Sequence, residues 1–101
     1  MAVLTVSIRD GNDNAVTDAA VTLSNEAATL GAVSNDDETV AAVGTAVTYN
    51  PTTEEYEYTF DETQLTGTTV TYYVKTVYEG STTYATYSID INGGPGQLDD
   101  D

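Results

Sequence analysis

Residues 70–91, VTYYVKTVYEGSTTYATYSIDI, contain two long runs of β-branched and aromatic residues separated by a single turn signal. The runs 70–78 and 82–91 have the composition of strands, in which valine, isoleucine, threonine and tyrosine are enriched. The Glu-Gly-Ser segment between them is typical of a tight hairpin turn. This stretch therefore predicts two long antiparallel strands at the end of the chain.

Alternation of apolar and polar residues, which marks a half-buried strand, continues through most of the remaining sequence. The cleanest case is YEYTF at residues 56–60, and further strands are predicted at residues 4–8, 19–23 and 40–49. The last of these contains Gly44, so we expect one bent strand or two short ones. Residues 25–38 are weakly patterned, and the acidic SNDDE segment within them is predicted to be a loop. The sequence thus predicts about seven strands and no convincing helix.

Seven short strands with one apolar face each must pair into two sheets or close into a barrel. An all-β fold, an antiparallel β-sandwich of about seven strands, is the predicted fold class. The eight tyrosines fit it, because a tyrosine ring packs in the core or on a sheet while its hydroxyl reaches a wet edge. We expect a single domain over residues 1–91 and a flexible, acidic, Gly-rich tail over residues 92–101.

The composition excludes several classes of site. The chain has no cysteine and no histidine, which rules out disulfides, thiol chemistry, the usual zinc sites and histidine-based triads. No apolar run approaches the ~20 residues of a membrane span, and MAVLTVSIRD lacks the features of a signal peptide. We therefore expect a protein that is not exported by that route, or a mature or trimmed form, with no membrane insertion.

The charge balance is the strongest compositional signal. Seventeen acidic residues face two basic ones, Arg9 and Lys75, and the formal net charge is −15. Nucleic acids and anionic membranes are improbable partners, because both are bound through lysine and arginine. The acids are spread along the chain, so they repel one another in dilute salt and are screened at ~1 M salt, where the Debye length is ~3 Å. This composition resembles that of proteins from halophilic archaea and their viruses, whereas the simpler interpretation is an acidic, solvated surface.

Motifs spaced along the chain resemble the carboxypeptidase-regulatory or transthyretin-like sandwich family. That family has a strand, a D-x-x-G-type turn and a V-x-x-A-x-V-x-L segment, then a Y-x-F strand and an L-x-x-G turn before another strand. The matching residues are Val6, Ile8, Asp10, Val16, Ala19 or Ala20, Val21, Leu23, Tyr56, Tyr58, Phe60, Leu65, Gly67, Val70 and Tyr72. The resemblance implies an Ig-like or prealbumin-like sandwich.

The segment LTGTTVTYYVKT, residues 65–76, also resembles the tyrosine corner of fibronectin type III and Ig domains. It departs from that pattern by one extra residue between Gly67 and Tyr72, and by Thr66 where the corner has proline. Both resemblances imply spacers, adhesion modules or particle-surface proteins, and they bear on fold far more than on function.

The loop sequence DGNDN, residues 10–14, offers hard oxygen ligands at close spacing. The strand that runs into it resembles the calcium linker of cadherins, which implies a calcium site with Asp10, Asn12 and Asp13 as metal ligands. The same residue types close tight turns, because they tolerate left-handed backbone. The turn is the favoured interpretation, since only one strand precedes it and Ala15 follows where cadherins have proline. Calcium stays an alternative, and no other cofactor is predicted.

Other acidic clusters lie at residues 36–38, 54–55 and 99–101. Two of them at one end of a sandwich would suit calcium or magnesium, and a solvated surface is the favoured alternative. Ser24 and Ser81 lack a histidine to activate them as nucleophiles. With seventeen acids, carboxylate pairs arise by chance and indicate no glycosidase. We therefore expect no catalytic residues and no enzymatic activity.

We expect from these features a non-enzymatic structural protein, a salt-adapted subunit of a larger assembly. A virion component such as a capsid decoration, turret or tail-associated protein fits best, with a homo-oligomer and other structural proteins of that assembly as partners. Location is then the virion surface or the extracellular space. The alternative is an adhesion or carbohydrate-binding module of a cell-surface protein, with calcium ordering its loops. A subunit that exchanges a strand with its neighbour is a third possibility.

Overall fold

The computed structural model describes residues 1–91, so the predicted tail at 92–101 lies outside the described residues. The described part contains nine strands and a short 3-10 helix at Glu62–Gln64. The strands are β1 (Ala2–Val6), β2 (Ala20–Leu23), β3 (Ala32–Ser34), β4 (Thr39–Ala41), β5 (Thr45–Ala46), β6 (Thr48–Asn50), β7 (Glu55–Phe60), β8 (Thr69–Tyr78) and β9 (Ser81–Asp90).

Two antiparallel sheets pack face to face. The smaller sheet has the order β1-β7-β6, and the larger has the order β4-β3-β8-β2-β5 with β9 paired to β8. Side chains from both sheets form one hydrophobic core, with Leu4 and Tyr56 on one side and Leu23, Val70 and Val74 on the other. The predicted all-β sandwich of several strands is confirmed, and the fold is compatible with an Ig-like domain.

Strands β2 and β3 lie in one line along the same side of β8. They pair with Val74–Val77 and Val70–Tyr72 respectively. Between those segments, the Tyr73 carbonyl accepts the Ser24 N–H at 2.8 Å and the Tyr73 N–H donates to the Gly31 carbonyl at 2.9 Å. Tyr73 of β8 is thus hydrogen-bonded to both ends of the loop between β2 and β3, and the hydrogen-bond ladder along β8 is continuous.

The next position in the sheet, beyond β2 and β3, is also occupied by two short strands instead of one long one. Strand β4 pairs with β3 and β5 pairs with β2. Gly44, with φ of 92°, lies in the turn between them. The chain then changes sheets at Val47, whose N–H donates to the Val21 carbonyl before β6 joins β7. The bend predicted at Gly44 is therefore present, followed by a second break at the change of sheet.

Residues 25–38, which the sequence shows as weakly patterned, contain one strand that the pattern does not reveal. Strand β3 occupies Ala32–Ser34, with Ala32 and Ser34 buried. Its buried residues are small and one is polar, so no apolar alternation marks the strand. The remainder of SNDDE forms the predicted turn, in which Asp37 has a φ of 62°.

Two buried tyrosines connect the sheets to other parts of the sandwich. The Tyr56 hydroxyl on β7 donates to the Val16 carbonyl at 2.7 Å and accepts the Ala19 N–H at 3.0 Å. The Tyr72 hydroxyl on β8 donates to the Thr5 carbonyl of β1 at 2.8 Å, which joins the two sheets. Both rings fill the core as predicted for tyrosine in a sandwich, but their hydroxyls bond to backbone groups within it instead of reaching a wet edge.

The close approach at Gly31 gives a direct test of this arrangement. A Cβ atom there would lie 2.6 Å from the carbonyl oxygens of Ala41 and Ala42, which are backbone atoms with no rotamer to relieve the contact. Gly31→Ala is expected to lower the free energy of unfolding by about 1–3 kcal/mol, measured by chemical denaturation.

Gly11 provides the matched control. A Cβ atom there meets nothing within 4 Å, so Gly11→Ala is expected to change the free energy of unfolding by less than about 1 kcal/mol. Equal unfolding curves for the two variants would contradict the packing of the loop 24–31 against the end of β4.

Candidate interaction surface

The loop that contains Asp10, Asn12 and Asp13 is a closed turn between β1 and the segment that leads to β2. The Asp10 Oδ1 atom accepts the N–H groups of Asn12 at 2.8 Å and Asn14 at 3.0 Å. The Asp13 N–H donates to the Asp10 carbonyl, and Asp13 adopts a φ of 63°. Hydrogen bonds from the Asn14 and Asn12 N–H groups hold the pKa of the Asp10 carboxyl below its ordinary value.

This geometry accounts for the Asp and Asn content of the loop as turn chemistry. One oxygen of Asp10 is used by the backbone, and Asp13 supplies the left-handed residue. Within residues 1–91, no three acidic side chains come together as a group that could hold a metal ion. The calcium alternative includes the Asn12 amide as a ligand, and it stays a prediction.

The acidic cluster at residues 36–38 has a structural role at the opposite end of the sandwich. Glu38 accepts the N–H groups of Thr66 and Gly67, with the nearest distances at 2.8 and 2.9 Å. It also accepts the Ser34 hydroxyl at 2.8 Å, and Asp36 accepts the Thr66 hydroxyl. We call this group, residues 34–38 bonded to residues 66–69, the carboxylate clasp.

Asn35 extends the clasp by imitating a backbone carbonyl. Its Oδ1 atom accepts the N–H groups of Thr68 at 2.8 Å and Thr69 at 3.2 Å. A Cβ atom at Gly67 would lie 2.6 Å from the same oxygen and 2.9 Å from the Ser34 side chain, so a larger residue there would displace the Asn35 amide from these hydrogen bonds. The clasp holds the turn that leads into β8 against the turn that joins β3 to β4.

Within residues 1–91, the acidic pair at residues 54–55 makes other contacts. Glu54 lies beside the β7 strand with an oxygen 3.9 Å from the Arg9 guanidinium. Glu55 pairs with Asn50 in the smaller sheet, and residues 99–101 lie outside the described residues. Acids therefore lie in turns as well as in β7, with the clasp at one end of the sandwich and a second group around the β8–β9 turn. There the charges of Glu79, Asp18 and Asp10 raise the pKa of the Tyr78 phenol.

The most exposed regular element is β9, the second strand of the hairpin. All ten of its residues pair with β8 in continuous register, from Tyr78 opposite Ser81 to Thr69 opposite Asp90. Ile89 alone among them is partly buried. Glu79 and Gly80 form the predicted turn with φ of 50° and 80°, as a two-residue hairpin requires.

The outer side of β9 is paired with nothing else among residues 1–91. On β8, the Tyr73 N–H and C=O groups and the Thr69 C=O group are hydrogen-bonded on the side of β2 and β3. The residues opposite them on β9, Thr86 and Asp90, therefore form pairs that have no hydrogen bonds to β8. By the two-residue alternation of a strand, the N–H and C=O groups of Thr82, Tyr84, Thr86, Ser88 and Asp90 point away from β8.

Both faces of β9 are also open. Val70, Tyr72 and Val74 point into the core, and their partners on β9 share that face, because paired residues lie on the same side of a sheet. Ile89, at one end of this row, packs against the core, but the smaller sheet leaves Ala85 and Tyr87 exposed. Tyr87, stacked on Tyr72 with ring centroids 5.3 Å apart, is therefore 41% exposed, and Tyr84 on the other face is 42% exposed.

Comparison with known proteins gives no match: no family model, curated protein or solved structure is similar enough to be matched to the chain. Within residues 1–91, no helix has the length and apolar character needed to cross a bilayer. The candidate surface therefore rests on the geometry of β9 and on the charge around it. The sequence predicts the hairpin, but nothing in a single sequence shows which strand lies at the edge of a sheet.

The carboxylate clasp predicts a specific dependence of stability on pH. The N–H groups of Thr66 and Gly67 hold the pKa of the Glu38 carboxyl below its ordinary value of 4.5. A lowered pKa in the folded state means that Glu38 stabilises the fold above pH 4.5, and that this contribution is lost as the pH falls through the lowered value.

Glu38→Gln is therefore expected to lower the melting temperature at about pH 7, with a difference from the parent that shrinks toward about pH 3. Thermal unfolding followed by circular dichroism across this range provides the measurement. Glu26→Gln, at an exposed residue, is the control and should shift the melting temperature much less. If the two variants behave alike at every pH, the clasp does not stabilise the fold through Glu38.

Proposed function

We propose that the chain is a non-enzymatic structural subunit of a larger assembly, as a virion component such as a capsid decoration, turret or tail-associated protein. The observation that carries this proposal is the ten-residue edge strand β9, with its outer side unpaired within residues 1–91. Soluble proteins that act alone usually shorten, charge or cover such an edge to avoid sheet-to-sheet association. A long edge whose first nine residues carry no charge is typical of a surface that is covered in an assembly.

We also infer that the sandwich belongs with the Ig-like or transthyretin-like domains that its motifs resemble. The motif residues Val6, Val21 and Leu23 are buried in the core, and Tyr72 connects the two sheets through its hydroxyl. These positions support membership because the residues that carry the motifs are those that build the core. Domains of this kind serve many functions, so the membership favours no particular chemistry.

The surface charge supports adaptation to concentrated salt as part of the same proposal. Exposed acids occupy the turns at residues 10–13, 36–37 and 79, and the two basic residues of the chain cannot neutralise them. Mutual repulsion of such charges opposes both folding and association when the Debye length is long. Molar salt removes most of that penalty, which makes a −15 chain suited to assembly in brine.

The alternative, a carbohydrate-binding or adhesion module, has less support. Sugar rings stack on aromatic side chains that share one surface. Tyr84 and Tyr87, the tyrosines with the greatest exposure, are three residues apart in a strand and therefore point to opposite faces of the sheet. Together they form no single platform, whereas both faces remain next to the free backbone edge.

The proposal predicts that salt controls both stability and association. In about 2 M KCl the chain is expected to be more stable to denaturant than in about 0.05 M KCl, and to show a mass above that of the monomer in light scattering. A mass that stays monomeric at all protein concentrations in both salts would contradict the assembly function. Equal stability in both salts would contradict the adaptation to salt.

A charge-reduced variant separates screening of charge from other effects of salt. Asp13→Asn, Glu26→Gln and Asp37→Asn together remove three exposed acids, and asparagine tolerates the left-handed conformation at residues 13 and 37. We expect KCl to stabilise this variant less than the parent, while sucrose, which screens no charge, stabilises both equally. The same gain from KCl in both proteins would show that screening is not the cause.

A further inference from the structure

We propose that β9 pairs with β9 of a second copy of this chain, antiparallel and around a twofold axis that passes beside Ala85. The pairing joins the two larger sheets into one continuous sheet across the dimer. This inference rests on the proposed function, since it names the surface and the partner through which the subunit assembles.

The choice of β9 follows from comparison of the sheet edges within residues 1–91. The smaller sheet ends at β1, which has five residues, and at β6, which has three. The far edge of the larger sheet is formed by β4 and β5, short segments separated by the turn at Gly44. Strand β9 offers ten residues in unbroken register, so it presents the longest continuous row of free backbone donors and acceptors.

The choice of a second copy follows from charge and from symmetry. Residues 81–89 carry no charged side chain, whereas the chain as a whole carries −15. Glu79 and Asp90 lie just beyond the two ends of this stretch. Two copies that approach through their uncharged edges keep most of their acids apart. Two identical strands can also pair antiparallel around a twofold axis, because a contact of residue i with residue j of the second copy is repeated as a contact of j with i.

The same uncharged stretch determines the register. Pairing residues 81–89 with residues 81–89 of the second copy places Ala85 opposite Ala85. The smallest side chain of the stretch then lies at the axis. Tyr84 then lies beside Thr86 of the second copy, and Tyr87 beside Thr83. Aromatic side chains next to β-branched ones are favourable cross-strand neighbours. Thr82, Tyr84, Thr86 and Ser88, whose backbone groups point outward, become the hydrogen-bonded positions.

This register also predicts that the pairing requires salt. Asp90 comes opposite Gly80 of the second copy, so Asp90 and Glu79 of different copies become neighbours at both ends of the shared ladder. These like charges oppose association in dilute buffer and are screened at about 1 M salt. The dimer is therefore expected to form in concentrated salt and to dissociate on dilution of the salt.

A cysteine cross-link tests the register directly, because the chain has no native cysteine. Opposite residues in an antiparallel pair without hydrogen bonds have Cα atoms about 4.5 Å apart, which suits a disulfide. Ala85→Cys is expected to form a disulfide dimer under mild oxidation in about 2 M KCl. Thr83→Cys, on the same strand and face, lies about 13 Å from its own copy in this register and should cross-link at least about tenfold more slowly.

A proline on the outer side of the edge tests the pairing without a cross-link. The Thr86 N–H points away from β8, so Thr86→Pro removes no hydrogen bond of the hairpin but blocks an incoming strand. We expect the dissociation constant of the dimer to rise at least about tenfold, measured by sedimentation equilibrium in about 2 M KCl. Thr86→Val keeps the N–H group and should associate like the parent, and circular dichroism verifies that both variants are folded.

The outcomes separate this inference from the function on which it rests. Association that survives Thr86→Pro in a folded protein overturns the β9 pairing and leaves the assembly function standing. Association with equal cross-linking at residues 83 and 85 overturns the register. A parent protein that stays monomeric in concentrated salt overturns both the inference and the proposed function.

Discussion

Hydrogen bonding along both sides of β8 is the interaction on which the rest of the larger sheet depends. One side of β8 holds β2 and β3 in line, with Tyr73 bonded to both ends of the loop between them, and the other side holds β9. The same strand sends alternate side chains into the core and ties the smaller sheet through the Tyr72 hydroxyl. Because β9 pairs with β8 along its whole length, it adds a strand whose residues, apart from Ile89, lie outside the core.

The acidic composition is part of the architecture as well as of the surface. The carboxylates of Asp10, Asp61 and Glu38 accept backbone N–H groups in turns, a role that neutral side chains also fill in proteins. Such charge-assisted bonds stabilise turns without any basic partner, which suits a chain with two basic residues. These three carboxylates lie in turns, and residues 81–89 of the edge strand carry no charge.

The sequence was sufficient to predict the strands whose side chains alternate, because alternation records burial of one face. Residues 56–60 and 70–78 are examples, whereas β9 was predicted from its β-branched and aromatic composition, and Gly44 marked an interruption that the structure contains. Strand β3 was missed, since three residues with small buried side chains leave no periodic signal. The carboxylate clasp was also beyond prediction, because it joins residues about 30 positions apart through backbone N–H groups that any residue but proline supplies.

Exposure of the β9 backbone edge is the central claim, and amide hydrogen exchange measures it directly. In concentrated salt, the N–H groups of Thr82, Tyr84, Thr86 and Ser88 are predicted to exchange rapidly in dilute protein and slowly at high protein concentration. Those of Thr83, Ala85 and Tyr87, which face β8, are predicted to be protected at both concentrations. Outward N–H groups whose exchange is independent of protein concentration would contradict pairing of this edge with a second copy.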